Sequence, residues 1–238
     1  FDDMDVDAAV SGALFATFIA SGQTCVAGAR VLAHASIAEA FARRLAERAD
    51  AIRLGLPLDP ESQMGPLASA AQLERVRGMI ASAEEAGARR LTDDQRPLPD
   101  ELRRGYYQRP VVFDRVTPDM EIAREEVFGP VVPVLAFEDE AEALAIANAV
   151  PTGLGASVWT RDVARAHRVA ERVKAGVVWV NDHHRNAPSA PWGGFGDSGY
   201  GRENGVTAYQ SYLAPRTIVV RTDAAAFDWY DGSPQRYG

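Results

Sequence analysis

The sequence predicts an α/β fold: a parallel-type sheet with helices on both faces, followed by a C-terminal oligomerisation strand. Three observations carry this. Short runs such as Val111-Val112-Phe113 and Val131 to Phe137 are almost continuously apolar, the pattern of strands buried on both faces. Segments with helical periodicity and capping signals alternate with those runs. At 238 residues, 47% of them hydrophobic, the chain has the length and composition for a sizeable core.

Taken in order, Asp5 precedes a helical stripe of Val6, Ala9, Val10, Ala13, Leu14, Thr17 and Phe18. The opening Phe1-Asp2-Asp3-Met4 has no natural beginning and reads as the middle of a longer polypeptide. A strand-like run at 29–33 follows. Ser36 and Glu39 then form a capping box for a helix with Ile37, Ala40, Phe41, Leu45, Ala49 and Ile52 on its core face, ended by Gly55. After a proline-rich connector, Ser69 and Gln72 cap a helix that buries Leu73, Val76, Met79, Ile80 and Ala83 and stops at Gly87. Residues 92–105 read as a surface loop. The two apolar strands come next, then a short helix from Asp139 that finishes by Pro151 and Gly153. A strand at 156–159, a helix at 162–175 and a strand at 177–180 complete the alternation. Arg216 to Thr222, after Pro215, is a late β-branched run, and such a strand is an exposed edge unless it pairs with something. Residues 1–212 therefore read as one domain, and 213–238 as the oligomerisation strand with its tail.

Composition narrows the function. A net charge of -8, without any Lys/Arg block, argues against nucleic acid. No apolar run approaches the roughly 20 residues of a spanning helix, and no signal-peptide pattern opens the chain, so no membrane partner is expected and the expected location is cytoplasmic. One cysteine excludes an internal disulfide framework and suits a reducing compartment.

That cysteine, Cys25, lies in Ser21-Gly22-Gln23-Thr24-Cys25, a connector between a helix and a strand, where a nucleophile is held still and yet reached. Two more strings stand out downstream, Glu125-Glu126-Val127-Phe128-Gly129-Pro130 and Pro191-Trp192-Gly193-Gly194-Phe195-Gly196-Asp197-Ser198-Gly199. In the second, Gly194, Gly196 and Gly199 satisfy G-x-G-x-x-G. A long stretch separates them from the strand before, and no acidic residue occupies the required downstream position, so this is not a dinucleotide fingerprint. Asp182-His183-His184 invites a metal reading. Adjacent side chains on an extended chain point to opposite faces, and His34 and His167 have no ligand-like spacing to them, so no metal site is expected.

Together the three strings resemble the aldehyde dehydrogenase superfamily over 1–222, with Trp192 in place of the family's usual phenylalanine. The resemblance is to the C-terminal catalytic half: the N-terminal NAD-binding domain and the E-L-G-G-K string with its general-base glutamate have no counterpart here. It implies that Cys25 is the nucleophile, attacking an aldehyde through a thiohemiacetal and a thioester. It implies that Glu126 binds the nicotinamide ribose, with Phe128 beside the nicotinamide, in NAD or NADP held mainly by the absent domain. Asn181 would support the active site by holding the nucleophile loop. Thr24, Val26, His183, His184, Arg185, Asn186 and Trp192 would line the substrate pocket, with Arg185 suited to a semialdehyde carboxylate and Trp192 to an aromatic or quaternary-ammonium aldehyde. The implied product is a carboxylic acid, the implied assembly a homodimer or homotetramer, and the chain alone is expected to be inactive. A coenzyme A-acylating semialdehyde dehydrogenase, a cysteine hydrolase using His183 or His184, and a non-enzymatic assembly module remain as alternatives.

Overall fold

Two apolar layers meet on one small sheet, and the pleat decides which residue enters which layer. The computed structural model describes residues 1–222 and Tyr230. Its elements in chain order are α1 (Val6–Phe18), β1 (Val31–His34), α2 (Ala35–Asp50), α3 (Ala70–Glu85), β2 (Arg89–Arg90), β3 (Val111–Asp114), α4 (Glu121–Arg124) and β4 (Val131–Phe137). There follow α5 (Glu140–Ala147), β5 (Thr152–Gly153), β6 (Gly155–Val158), α6 (Val163–Ala170), β7 (Val177–Val180), β8 (Phe195–Gly196) and α7 (Gly205–Ser211). The main sheet has the order β1-β4-β3-β2; β1 and β3 run parallel to β4, and the short edge strand β2 runs antiparallel to β3.

Alternation along the strands splits the core in two. Val111, Phe113, Val131, Leu135 and Phe137 pack with Val76, Met79 and Ile80 of α3, Ile122 of α4 and Ile146 of α5. Val112, Val132 and Val134 face the other way, onto Val10 and Phe18 of α1 and Phe41, Leu45 and Ala49 of α2. This is the expected α/β arrangement with helices on both faces. The parallel pairing is interrupted, however: β6 and β7 form a separate parallel pair, and β5 and β8 a two-residue antiparallel one.

Most caps lie where the sequence puts them. Asp5, Ser69, Asp139 and Asp162 each accept a hydrogen bond from a first-turn amide of the following helix. The second helix differs. His34, not Ser36, is its N-cap, with Nδ1 accepting from the Ser36 amide, because β1 runs straight into α2 and leaves no residue for a separate box. It ends at Asp50, so Ile52 lies beyond it and Gly55 instead pairs through its amide with the Met64 carbonyl. α6 ends at Ala170 rather than near 175. Within the expected surface loop, Thr92 and Leu102 are buried.

The run at 216–222 forms no strand within this chain. Ile218, Val219 and Val220 are 71%, 89% and 72% exposed, so this segment does not fold back onto its own sheet. Helix α7 before it buries no residue. Of the aromatic residues in the tail, Phe227 and Trp229 lie outside the described residues, and Tyr230 is exposed. No helix among the described residues is long and apolar enough to cross a membrane.

Candidate active site

Helix α1 ends in a 3-10 turn, Ile19–Gly22, in which Ala20, Ser21 and Gly22 all take left-handed backbone angles (φ 51°, 58° and 72°). Three such residues in a row reverse the chain sharply, and the cost is met by contacts on either side. The Ser21 hydroxyl donates to the Gly65 carbonyl at 2.9 Å, and the Gln23 side chain accepts from the Ala68 amide at 2.8 Å. The chain then turns once more, with the Ala27 amide donating to the Thr24 carbonyl at 2.9 Å. Cys25 sits at the crest of that turn, exposed and unoxidised. Its own backbone N–H donates to no group among the described residues. The turn is tied back to α1 by Gly28 N–H to the Ala16 carbonyl and by the Thr17 hydroxyl to the Gly28 carbonyl, both 2.9 Å.

Cys25 opens on a cleft of about 480 Å³ whose lining includes Glu126, His183, Arg30, Ser157 and Ser198. Glu126 follows α4 on an irregular segment that α3 holds by its carbonyls. Arg75 donates to the carbonyls of Glu126 and Val127 at 2.9 and 2.8 Å, and Gln72 to those of Val127 and Phe128 at 3.2 and 2.8 Å. One turn of helix spaces these two side chains on the same face, where they secure three successive peptides. Phe128 is thereby held at φ 53° with its ring partly exposed. Loss of hydration beside the cleft raises the Glu126 pKa, partly offset by the Arg75 charge, and its carboxylate accepts no hydrogen bond among the described residues. In the sequence Gln72 reads only as a capping residue and Arg75 belongs to no motif; a polar pair at i, i+3 on one helix face is the available signal.

Asn181 does not do what was expected of it. Its side chain closes a reciprocal pair with Thr160, accepting from the amide at 2.9 Å and donating to the carbonyl at 2.8 Å, and so locks β7 to the end of β6. The turn that carries Cys25 is held instead by His183, and the end of α1 before it by His184. His183 Nε2 is 2.7 Å from the Val26 carbonyl and His184 Nε2 is 3.1 Å from the Ala16 carbonyl. His184 is left-handed (φ 62°), so the segment is bent, not extended; one ring reaches the Cys25 turn and the other the last turns of α1, and the rings meet edge to face with centroids 4.6 Å apart. A carbonyl only accepts, so Nε2 of His183 carries the proton. Burial lowers the pKa of His183, which favours the neutral ring.

The other pocket candidates divide. Val26 is buried, against Gly155, and Thr24 is half-buried; neither lines the cleft. Arg185 is exposed and paired with Asp182 at 2.8 Å, and its carbonyl accepts from Trp179 Nε1. Asn186 is exposed. Trp192 is half-buried near Trp179, its amide and carbonyl both bonded to Glu203 at 2.7 Å. The structure therefore brings Cys25, Glu126 and His183 to one cleft and leaves Phe128, Asn181, Arg185, Asn186 and Trp192 outside its lining.

Known proteins match this arrangement closely. The model of the "Aldehyde dehydrogenase family" matches residues 1–218. Betaine aldehyde dehydrogenase of Cereibacter sphaeroides is 48% identical over 220 residues, covering 92% of this chain and 45% of that protein. The Brucella anthropi protein of the same name is 43% identical over the same length. A crystal structure of betaine aldehyde dehydrogenase from Staphylococcus aureus, in complex with NAD+, superposes with a TM-score of 0.93 at 38% identity, covering 97% of this chain and 46% of that one. The chain thus spans about half the length of the relatives it matches. Fold, family model and sequence identity agree: this chain belongs to the aldehyde dehydrogenase family.

Proposed function

We propose that this chain supplies the catalytic portion of an NAD(P)-dependent aldehyde dehydrogenase, with Cys25 as the nucleophile. The observation that carries the reading is the exposed Cys25, on a braced turn with its own N–H unused, opening on the cleft that Glu126 also lines. The Cys25 thiolate attacks the aldehyde carbon, and the new oxyanion accepts from the Cys25 amide. The site residues fit a nicotinamide nucleotide: Glu126 offers a carboxylate without an internal donor, suited to a vicinal diol, and Phe128 an exposed ring. When bound, that cofactor supplies the hydride acceptor. The acyl group is left on Cys25 as a thioester, and its release to water or to coenzyme A requires groups that these residues do not provide.

The hydrolase alternative is weakened by the same geometry. His183 and His184 spend Nε2 on backbone carbonyls, and no hydrogen bond among the described residues joins either to Cys25. The names of the relatives make betaine aldehyde the first substrate to assay. Assembly is the remaining element of the proposal: the exposed 216–222 run pairs with a second copy, in a homodimer or homotetramer.

The test complements the chain with the part of its relatives that it does not cover and follows NADH formation over a panel of aldehydes. The complemented wild type should turn over, and Cys25→Ala should not, with its circular dichroism unchanged. Normal oxidation by Cys25→Ala would sink the proposal. The chain by itself is expected to reduce no NAD+ above background.

A further inference from the structure

We propose that His183 is a positioning residue for the nucleophile: its Nε2–H, fixed on the Val26 carbonyl, sets the turn on which Cys25 is presented. The inference rests on Cys25 being the nucleophile and deepens that reading. The turn from Thr24 to Ala27 has a single internal hydrogen bond, Ala27 N–H to Thr24 O. A turn with one bond and an exposed crest has alternatives close in energy. The Val26 carbonyl lies in its second half, and at 2.7 Å from Nε2 it has a donor that is itself immobilised. His183 is only 4% exposed, with the Trp179 ring at 4.7 Å on one side and the His184 ring at 4.6 Å on another. The ring therefore cannot follow the loop if the loop shifts.

A second feature separates this contact from ordinary packing. Nδ1 of His183 is buried and has no hydrogen-bond partner, although the residue lines the same cleft as Cys25. A buried imidazole that leaves one nitrogen unsatisfied carries a desolvation cost, and such a cost is retained where the other nitrogen has a task. An apolar ring of similar size would fill the space without it. The adjacent His184 makes the same kind of contact on α1, at the Ala16 carbonyl that also accepts from Gly28. The two neighbouring rings thus join the Cys25 turn to the helix that leads into it. His183 touches neither substrate nor cofactor in this role; it acts through the peptide that follows the nucleophile.

The experiment compares His183→Phe, which keeps an aromatic ring and loses the donor, with His183→Gln, which keeps a donor. Amide hydrogen exchange of the 238-residue chain, read on peptides covering 24–28, reports the turn without any dehydrogenase activity. In His183→Phe the Ala27 and Gly28 amides should exchange about tenfold faster while β4 amides stay protected, and His183→Gln should restore most of the protection. In the complemented enzyme, His183→Phe should lose about tenfold or more in kcat with KM for NAD+ within about twofold, and His183→Gln should recover much of it. Exchange at 24–28 in His183→Phe equal to wild type would overturn the inference, as would failure of the glutamine variant to rescue. An inactive wild type would count against the dehydrogenase reading alone, since the exchange measurement still decides the role of His183.

Discussion

The carbonyl oxygen of Gly129 lies 2.1 Å from where a Cβ on Gly22 would stand. Residue 22 is three positions before Cys25, and residue 129 three positions after Glu126. The strings around Cys25 and Glu126 are thus in backbone contact at Gly22 and Gly129. Gly129 is pressed in turn against Val76 of α3, so the joint has a rigid floor.

Gly22→Ala should therefore be severe. It places a side chain at φ 72° and drives it into backbone that has no rotamer to yield. A loss of about 2 kcal/mol or more is expected in chemical denaturation, together with faster amide exchange around Cys25. A variant as stable as wild type would show that the loop has room the structure does not display.

Arg75→Ala and Gln72→Ala should each free part of the segment from Glu126 to Phe128. Both side chains are at least partly solvated, so each change should cost only about 1 kcal/mol of stability. The larger effect is expected on the cofactor: KM for NAD+ in the complemented enzyme should rise about three- to tenfold, while alkylation of Cys25 by iodoacetamide stays at the wild-type rate. Equal losses in both assays would mean that the segment braces the nucleophile and not Glu126 alone.

Acid should loosen the fold through His183. Its pKa is lowered in the folded chain, by burial first and by the neighbouring His184 charge, against the Val26 hydrogen bond and Asp182, which raise it. With a folded value below the ordinary 6.5 or so, the unfolded chain takes up the proton first as pH falls. Stability is then fully present above about pH 6.5 and is lost as pH drops from there towards the folded value. Denaturation midpoints at about pH 7.5 and 5.5 should separate more in wild type than in His183→Gln. An identical separation in the two proteins would remove His183 as the cause.

Removal of the residues after Pro215 tests the exposed run at 216–222. If it joins a second copy, the truncated chain should show a smaller mass in sedimentation than the intact one, with an unchanged Cys25 alkylation rate. A truncated chain that assembles as before would place the joint elsewhere, α7 being the next exposed surface.

Local rules were enough for the layers. The apolar runs that became β3 and β4 needed no partner to be recognised, because a strand covered on both faces is apolar at both parities. Four helix starts were legible because a short polar side chain satisfies first-turn amides within its own stretch of chain. The strings around Cys25 and Glu126 stand out in the sequence, and the structure sets both residues on one cleft, with Phe128 outside its lining. Which side chain steadies which loop was not legible, since that depends on residues far apart in sequence. Asn181 seemed placed to hold the nucleophile turn, yet its amide found Thr160 across the β6–β7 pair. The two histidines look divergent under the extended-chain rule, and one left-handed residue, His184, bends the segment so that the rings pack together, one on the Cys25 turn and one on α1. The contact of Gly22 with Gly129 likewise joins residues that only the packed sheet and α3 bring together. Sequence alone determined most of the elements and the two apolar layers, because those follow from periodicity and local hydrogen bonding. Tertiary structure decided the bracing of the site, because a hydrogen bond across 157 residues has no local signature in the chain.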